Sequence, residues 1–305
     1  MTGVLVIKHG ALGDVVLATG PFAAIRAHHP DQSITLLTTS AFAGVLASAP
    51  YFDSIWVDQK PPWWRVDQWL ELARRLNGGR FQRVYDLQTS TRSSRYFRLM
   101  WPRPEWSGIA RGCSHPDSDP ARDHLHTVAR QRGQLRAAGI EHVPEPDMSW
   151  LADTAIAPGQ PYALLVPGGS AHRLDKRWPG FAILAEHLAA AGLMPVLVGG
   201  AAEAEALAAI QRAVPACLSL AGKTTLADLV SLGRHAAVAV GNDTGPMHLA
   251  AVAGAPSLVL FSHASDPALC QPVGRAVTIL RRPSLQELGA DEVVATALRL
   301  AGRQP

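Results

Sequence analysis

The chain has 305 residues, of which 48% are hydrophobic and 17% are charged, and its formal net charge is +3. This composition excludes a disordered or fibrous protein and predicts one large or two medium-sized globular domains. Three widely separated cysteines, Cys113, Cys217 and Cys270, argue against a disulfide framework or a zinc site. These cysteines favour a reducing cytoplasm, and no apolar run reaches the roughly 20 residues of a membrane span.

Short apolar runs alternate with helical segments along the first half of the chain. The predicted strands are VLVIKH, SITLLT, SIWVD and RVYDLQ; helices are predicted through AAIRAH, near FAGVLAS and at about 123–138. This alternation is typical of βαβ units with a parallel sheet. A passage rich in proline and acidic residues then interrupts it, and it predicts a linker at about 144–160.

The alternation resumes after the linker. The predicted strands are YALLVP, MPVLVGG, LSLAG, AAVAVG and SLVLF, and a helical segment ends the chain. The pattern therefore predicts two successive α/β domains of about 150 residues each, with parallel sheets that face a cleft between them. In such folds ligands lie beyond the carboxyl ends of the strands, so the turns that follow the strands are the expected site of chemistry.

The first strand leads into a turn with Gly10, Gly13 and Asp14, directly before a helix. The spacing differs from the G-x-G-x-x-G of dinucleotide-binding proteins, which argues against an NAD-dependent dehydrogenase. Asp14 has two interpretations from the residues alone. Aspartate is a favoured helix cap, and a carboxylate on a strand-to-helix turn can also act as a general base for an attacking hydroxyl.

Two turns in the second half have the residues of a phosphate and sugar site. Gly168, Gly169 and Ser170 follow the strand YALLVP and precede Lys176. Glycine N–H groups and a nearby lysine can bind a diphosphate without a metal, although an ordinary basic surface loop would have the same sequence pattern. Glu203 follows the strand MPVLVGG, where an acid can bind ribose hydroxyls or can simply favour a helix start.

The stretch VGNDTGPMHLAAVAG predicts a strand, a polar turn and a helix. Asp243 is expected to accept the free backbone N–H groups of that helix, Thr244 and Gly245 to present a hydroxyl and a close backbone, and Pro246 to preset the helical φ. The helix dipole disfavours a protonated His248 in the first turn unless an anion also binds there. The stretch therefore predicts a phosphate cradle, with a packed His248 as the alternative.

Residues 60–111 form a basic window that is rich in tryptophan. It contains eleven lysines and arginines against four acidic residues, and five of the eight tryptophans. Arginine combined with tryptophan suits an anionic, amphipathic partner such as an acidic glycan or a lipid headgroup. A solvated face with several core tryptophans is the alternative.

In this order, the four turns resemble those of glycosyltransferase family 9, the heptosyltransferases of the lipopolysaccharide inner core. The matching stretches are IKHGALGDVVLATGPFAAIR, PGGSAHRLDKRWPGFAIL, VLVGGAAEAE and VGNDTGPMHLAAVAGAPSLVLF with DPALCQPVG. The resemblance implies a GT-B architecture with an acceptor domain at 1–150 and a nucleotide-sugar domain at 160–285. It also implies a C-terminal helix at 286–305 that packs back on the N-terminal domain.

The resemblance further implies an inverting glycosyltransferase, without metal or cofactor, that moves heptose from ADP-heptose to the inner core with Asp14 as the general base. The implied donor-binding residues are Ser170, Lys176, Glu203 (or Glu205, two residues along the chain), Asp243, Thr244, Gly245 and His248, with the turn glycines Gly10, Gly13, Gly168 and Gly169. Candidate acceptor-binding residues are Arg65, Arg92 and Arg95. The expected partners are the nucleotide-sugar, a lipopolysaccharide-type acceptor and the inner membrane surface, and no nucleic acid.

The chain departs from the family pattern at two places. His9 and Gly10 occupy a turn where the family often has small hydroxyl residues, and the segment from Trp63 to Trp106 matches only loosely. Two alternatives therefore stay open. One is the same fold with another nucleotide-activated sugar and a polysaccharide or protein acceptor, and the other is a non-catalytic module that binds nucleotide-sugars.

Overall fold

The computed structural model describes residues 3–169 and 176–304. Within it the chain divides into two compact units, Met1–Pro146 and Asp147–Pro305. The boundary falls inside the region rich in proline and acidic residues.

The first unit alternates strands and helices. Its strands are β1 (Gly3–Ile7), β2 (Ile34–Thr38), β3 (Ser54–Val57), β4 (Phe81–Asp86), β5 (Glu105–Gly108) and β6 (His115–Pro116). Its helices are α1 (Leu12–Leu17), α2 (Thr19–His28), α3 (Ser40–Leu46), α4 (Val66–Gly78), α5 (Thr91–Leu99) and α6 (Thr127–Ala137). A short 3₁₀ helix (Arg122–His124) precedes α6, so the helix predicted at about 123–138 begins a few residues later than expected.

These strands form one parallel sheet in the order β3-β2-β1-β4-β5-β6. The central strand β1 is buried from Val4 to Ile7, as expected for a parallel strand covered on both faces. The strand order reverses between β1 and β4. In open α/β sheets this switch point leaves a crevice at the carboxyl ends of the two strands, where ligands bind.

The second unit has the same alternation. Its strands are β7 (Tyr162–Val166), β8 (Met194–Leu197), β9 (Leu218–Ser219), β10 (Val238–Asn242), β11 (Ser257–Phe261) and β12 (Val277–Arg281). Its helices are α7 (Phe181–Ala190), α8 (Ala204–Ala213), α9 (Leu226–His235), α10 (Gly245–Ala253), α11 (Pro267–Cys270) and α12 (Ala290–Leu300). Short 3₁₀ helices cover Ala201–Glu203 and Leu285–Glu287.

Its parallel sheet has the order β12-β11-β10-β7-β8-β9, which is the arrangement of the first unit repeated. The switch point now lies between β7 and β10, so Gly168 and Asp243 follow neighbouring strands at one edge of the sheet. The C-terminal helix α12 buries Val293, Ala297 and Leu298 in the core of this unit. Its predicted packing on the N-terminal domain stays a prediction.

The sequence patterns did not predict helices α4, α5 and α11 or strands β5, β6 and β12. Polar and charged residues are frequent in α4 and α5, and only part of each helix buries against the sheet, Leu72 and Leu76 in α4 and Tyr96 and Phe97 in α5. None of the helices in the described ranges is both long and apolar enough to span a bilayer.

Candidate active site

Three side chains meet at the carboxyl edge of the second sheet. Lys176 Nζ lies 2.9 Å from Asp243 Oδ2 and 3.1 Å from Ser265 Oγ, and Ser265 Oγ donates to the same Asp243 oxygen at 2.6 Å. The side chains of Lys176 and Asp243 are only 14% and 11% exposed. Because Asp243 is engaged in this way, it does not cap α10 as the sequence predicted. The cluster instead fixes one positive charge at the edge of the sheet.

Asn242 holds the glycine turn beside this cluster. Its buried side chain donates to the carbonyls of Pro167 and Gly168 at 2.8 and 3.1 Å and accepts from the Trp178 N–H at 3.1 Å. This one amide therefore links the end of β10 to the turn after β7 and to the backbone at Trp178. Ser170, a predicted donor ligand, lies outside the described residues.

A cavity of about 290 Å³ opens at the same edge of the second sheet. Its lining residues are Val166, Gly168, Gly169, Val198, Gly199, Gly200, Glu203, Thr244 and Pro246. The glycines matter here because a side chain would close the space: a Cβ on Gly168 would lie 3.0 Å from Glu203 Cγ. The cavity thus brings together the residues of three turns that the sequence singled out separately.

Helix α10 presents its N-terminus at the cavity. Thr244 is the N-cap residue and Pro246 lies in the first turn, as predicted, but within the described residues no side chain caps the helix. Thr244 Oγ1 instead donates to the carbonyl of Asn242 at 3.2 Å. The uncapped first turn leaves backbone N–H groups and the positive end of the dipole available to an anion.

The structure places the two candidate ribose contacts differently. Glu203 lines the cavity and accepts the Gly200 N–H at 2.9 Å, so it stabilises the start of the helix and also faces the ligand space. Glu205 is exposed and pairs with Arg212 at 2.8 Å. His248, by contrast, is only 6% exposed and does not line the cavity. Its burial favours the packed alternative over a place in the cradle.

Asp14 lies in the first turn of α1 at the carboxyl end of β1. It is not the N-cap residue, which is Ala11, but its Oδ2 accepts the Ala11 N–H at 3.2 Å. Gly10 precedes it with φ +127°, and a Cβ there would approach the Phe42 ring to 2.9 Å. Gly13 is buried within α1. Asp14 thus has a structural role in the turn while remaining half-buried rather than enclosed.

Two buried ionisable groups, Lys8 and Asp86, lie at the carboxyl ends of the neighbouring strands β1 and β4. Lys8 donates from Nζ to the Leu87 carbonyl at 3.1 Å, and burial lowers its pKa while the charges of Asp14 and Asp86 act in the opposite direction. Asp86 ends β4 and accepts the N–H groups of Gln88 and Thr89 through Oδ1. Burial raises the pKa of Asp86 to about 7.

Within the described residues no group of three or more histidine, cysteine, aspartate or glutamate side chains is placed to hold a metal ion. At this edge of the sheet, the ammonium group of Lys176 and the uncapped N-terminus of α10 can bind the negative charge of a diphosphate.

The sequence model of one protein family, glycosyltransferase family 9 (heptosyltransferase), matches residues 69–294 of the chain. The chain belongs to glycosyltransferase family 9. Lipopolysaccharide heptosyltransferase 2 of Salmonella typhimurium is 25% identical over an alignment of 309 positions, gaps included, which covers 91% of this chain and 87% of that protein. This alignment extends well beyond the range matched by the family model.

Two solved structures from Escherichia coli share the fold. ADP-heptose lipopolysaccharide heptosyltransferase II has a TM-score of 0.80 at 21% identity, with 98% of each chain covered. Heptosyltransferase WaaC with ADP has a TM-score of 0.78 at 21% identity, with 98% of this chain and 100% of that chain covered. The prediction of a glycosyltransferase with an α/β fold of the GT-B type is thereby confirmed.

This family-9 enzyme has a buried polar network at the first sheet that the sequence did not reveal. His9 Nε2 lies 3.0 Å from Asp58 Oδ2, and Tyr96 donates to the same oxygen at 2.5 Å. Burial raises the pKa of Asp58, but His9, Tyr96 and the Lys60 N–H outweigh it and hold that pKa below its usual value. The network anchors the turn that continues into Gly10, and the only sequence signal was the unusual His9.

The predicted acceptor arginines of the enzyme fall into three different settings. Arg65 is exposed but pairs with its neighbour Asp67 at 2.8 Å. Arg92 is half-buried, donates to the Pro61 carbonyl at 3.1 Å and lies over the Trp69 ring. Arg95 is exposed and lines a cavity of about 300 Å³. Of the three, Arg95 is the one whose guanidinium is available to a ligand.

Proposed function

We propose that this enzyme is an inverting, metal-independent heptosyltransferase that uses ADP-heptose and extends the inner core of lipopolysaccharide on the cytoplasmic side. One observation carries the proposal. Lys176, fixed by Asp243 and Ser265, lies at the same sheet edge as the cavity bounded by Gly168 and Glu203. A cation beside a glycine-lined cavity is what a nucleoside diphosphate requires.

On the donor side, the second unit would bind the nucleotide. The diphosphate would lie against the N-terminus of α10, where the backbone N–H groups and the helix dipole favour negative charge. Lys176, held in place by Asp243 and Ser265, would add a positive charge and would stabilise the diphosphate more strongly as the sugar leaves. Glu203 would accept hydrogen bonds from the ribose hydroxyls. The relative WaaC has been solved with ADP and with ADP-2-deoxy-2-fluoro heptose, which supports an adenine nucleotide as donor.

In the transfer step, an acceptor hydroxyl would attack the anomeric carbon of the heptose. The bond between that carbon and the diphosphate oxygen breaks, ADP leaves with the electron pair, and the configuration at the carbon inverts. Asp14 would take the hydroxyl proton, since its carboxylate sits on a strand-to-helix turn and is half-buried rather than enclosed. The buried Lys8 would shape the electrostatic surroundings of Asp14.

On the acceptor side, a cavity of the first unit would bind an anionic glycan. It is lined by Arg95, Arg98 and Arg111 together with Thr91, Ser94, Phe97 and Ile109. Within the described residues none of the three arginines has an acidic partner, and the buried Ser94 Oγ makes no hydrogen bond there. Guanidinium groups pair with carboxylate and phosphate, the groups that make a glycan anionic.

The test combines binding with turnover. We expect ADP to raise the melting temperature of the protein more than UDP does, and we expect ADP-heptose with a truncated lipopolysaccharide to yield an acceptor heavier by one heptose, read by mass spectrometry. Stabilisation by UDP, or transfer from another nucleotide-sugar, would support the alternative donor. Nucleotide binding without transfer from any donor in a broad panel would indicate a binding module.

A further inference from the structure

Large exposed apolar side chains are distributed unevenly in this protein. Within the described residues seven such side chains are exposed, and six of them lie between Trp63 and Ile109 in the first unit; the seventh is Ile183 in the second unit. The most exposed are Trp63 at 77% and Trp101 at 79%. Exposed tryptophan is unusual on a water-facing surface because indole burial is strongly favourable. This concentration indicates a surface that is covered in use.

Five of these residues lie on helix α4 or near its two ends, and we call them the tryptophan surface: Trp63 and Trp64 precede the helix, Val66 and Leu70 belong to it, and Trp101 lies near its C-terminal end. Val66 and Leu70 are one turn apart and therefore share a face of the helix. Asn77 lies three turns beyond Val66 on the same face, and its Oδ1 accepts the Trp101 N–H at 2.7 Å. Trp101 is thus attached to the C-terminal end of α4.

Exposed cations are interleaved with the tryptophan surface. Lys60, Arg74, Arg98 and Arg103 are exposed, the exposed Glu71 of α4 offsets one of these charges, and Arg65 adds a charge that Asp67 neutralises. The surface therefore combines amphipathic indoles with an excess of positive charge. Tryptophan is favoured at the headgroup level of a bilayer, while lysine and arginine near the surface are attracted to anionic lipids.

We propose that the tryptophan surface docks this protein on an anionic lipid bilayer, with the indoles at headgroup depth and the arginines on lipid phosphates. A lipid surface fits better than a protein partner because the apolar side chains are spread along the helix and interleaved with charge rather than gathered into one patch. Docking of this kind is independent of the proposed reaction, and it holds whichever sugar is transferred.

The full-length protein is tested by co-sedimentation with vesicles of phosphatidylcholine alone and with about one-third phosphatidylglycerol. We expect binding to the anionic vesicles and weakening by salt. Trp63→Ser/Trp64→Ser should lower the partition coefficient about tenfold or more, and Arg74→Gln about fivefold. Ile183→Ser removes an apolar side chain of the second unit that is 47% exposed and should leave binding unchanged.

Two results would overturn the proposal. The first is an absence of binding to anionic vesicles, or binding that the double tryptophan variant does not weaken. The second is a wild-type dimer in light scattering that the double variant converts to monomer, since the surface would then cover a second copy of the chain. Thermal stabilisation by ADP, measured on each variant, shows whether the fold and the nucleotide site remain intact.

Discussion

Replacement of Lys176 by methionine should weaken ADP binding and destabilise the protein by two separable routes. Lys176 and Asp243 are 14% and 11% exposed and 2.9 Å apart, so the pair is mostly removed from water. A hydrogen bond to a charged group contributes about 1.5–3 kcal/mol. Loss of that contribution to the diphosphate predicts a 10- to 150-fold rise in the Kd for ADP, on the order given by the affinity scale.

The same variant leaves the Asp243 carboxylate with Ser265 as its remaining partner in the cluster. An under-satisfied, largely buried charge costs about 1–3 kcal/mol, which lowers Tm by several degrees. The double variant Lys176→Met/Asp243→Asn removes both charges and retains an acceptor for Ser265 Oγ. Its Tm should therefore recover most of the loss, whereas its affinity for ADP should not.

Isothermal titration with ADP and a thermal melt on each variant separate the two effects. Lys60→Met removes a lysine charge from an exposed position in the first unit and serves as the control for net charge. A double variant that regains both Tm and ADP affinity would show that Lys176 acts only on stability, and an unchanged Kd in the single variant would show that it does not meet the diphosphate at all.

Asp14→Asn should reduce transfer by about 10²–10⁴-fold with the Kd for ADP unchanged, because a general base acts on the acceptor hydroxyl; a variant with full activity would remove Asp14 as the base. Glu203→Gln should weaken ADP binding about tenfold yet leave 2′,3′-dideoxy-ADP binding unaffected, since the lost partners are the ribose hydroxyls, whereas the exposed Glu205→Gln should change neither Kd. Asp86, with its pKa raised to about 7, stays protonated in the fold at pH values where the unfolded chain has already ionised. The free energy of unfolding should therefore fall by a few kcal/mol as the pH rises from 4 to 7, and Asp86→Asn should flatten that dependence in urea melts; an unchanged slope would contradict the raised pKa.

Some predictions that depended on local spacing agree with the structure, although Asp243 does not cap α10. Pro246 in the first turn of α10 and the glycines at the end of β7 follow directly from strand-to-turn patterns. Helix α5 was not predicted although it is amphipathic, because its few apolar residues lie among arginines and serines and bury only a short stripe, Tyr96 and Phe97. His248 shows a second kind of error: its place in the helix was predictable, but the direction of its side chain depends on the packing of α10.

Among the tryptophans of the basic window, composition could not separate core from surface. Trp106 is fully buried in the first unit's core, Trp69 is half-buried with its Nε1 on the Pro62 carbonyl, and Trp101 is 79% exposed. The same side chain thus serves three environments within one segment. Whether an indole faces the sheet or the solvent is decided by strand register and helix rotation, which residue counts do not contain.

The sequence by itself determined the alternation of strands and helices, the division into two α/β domains and the turns that identify the family, because each of these depends on neighbours within a few residues. Only the tertiary structure joined Lys176 to Asp243 and Ser265, which are 67 and 89 positions away, or His9 to Asp58 and Tyr96. The repeated strand order brings the carboxyl ends of distant strands to one edge of each sheet. Partners in these clusters are therefore set by sheet topology and not by distance along the chain.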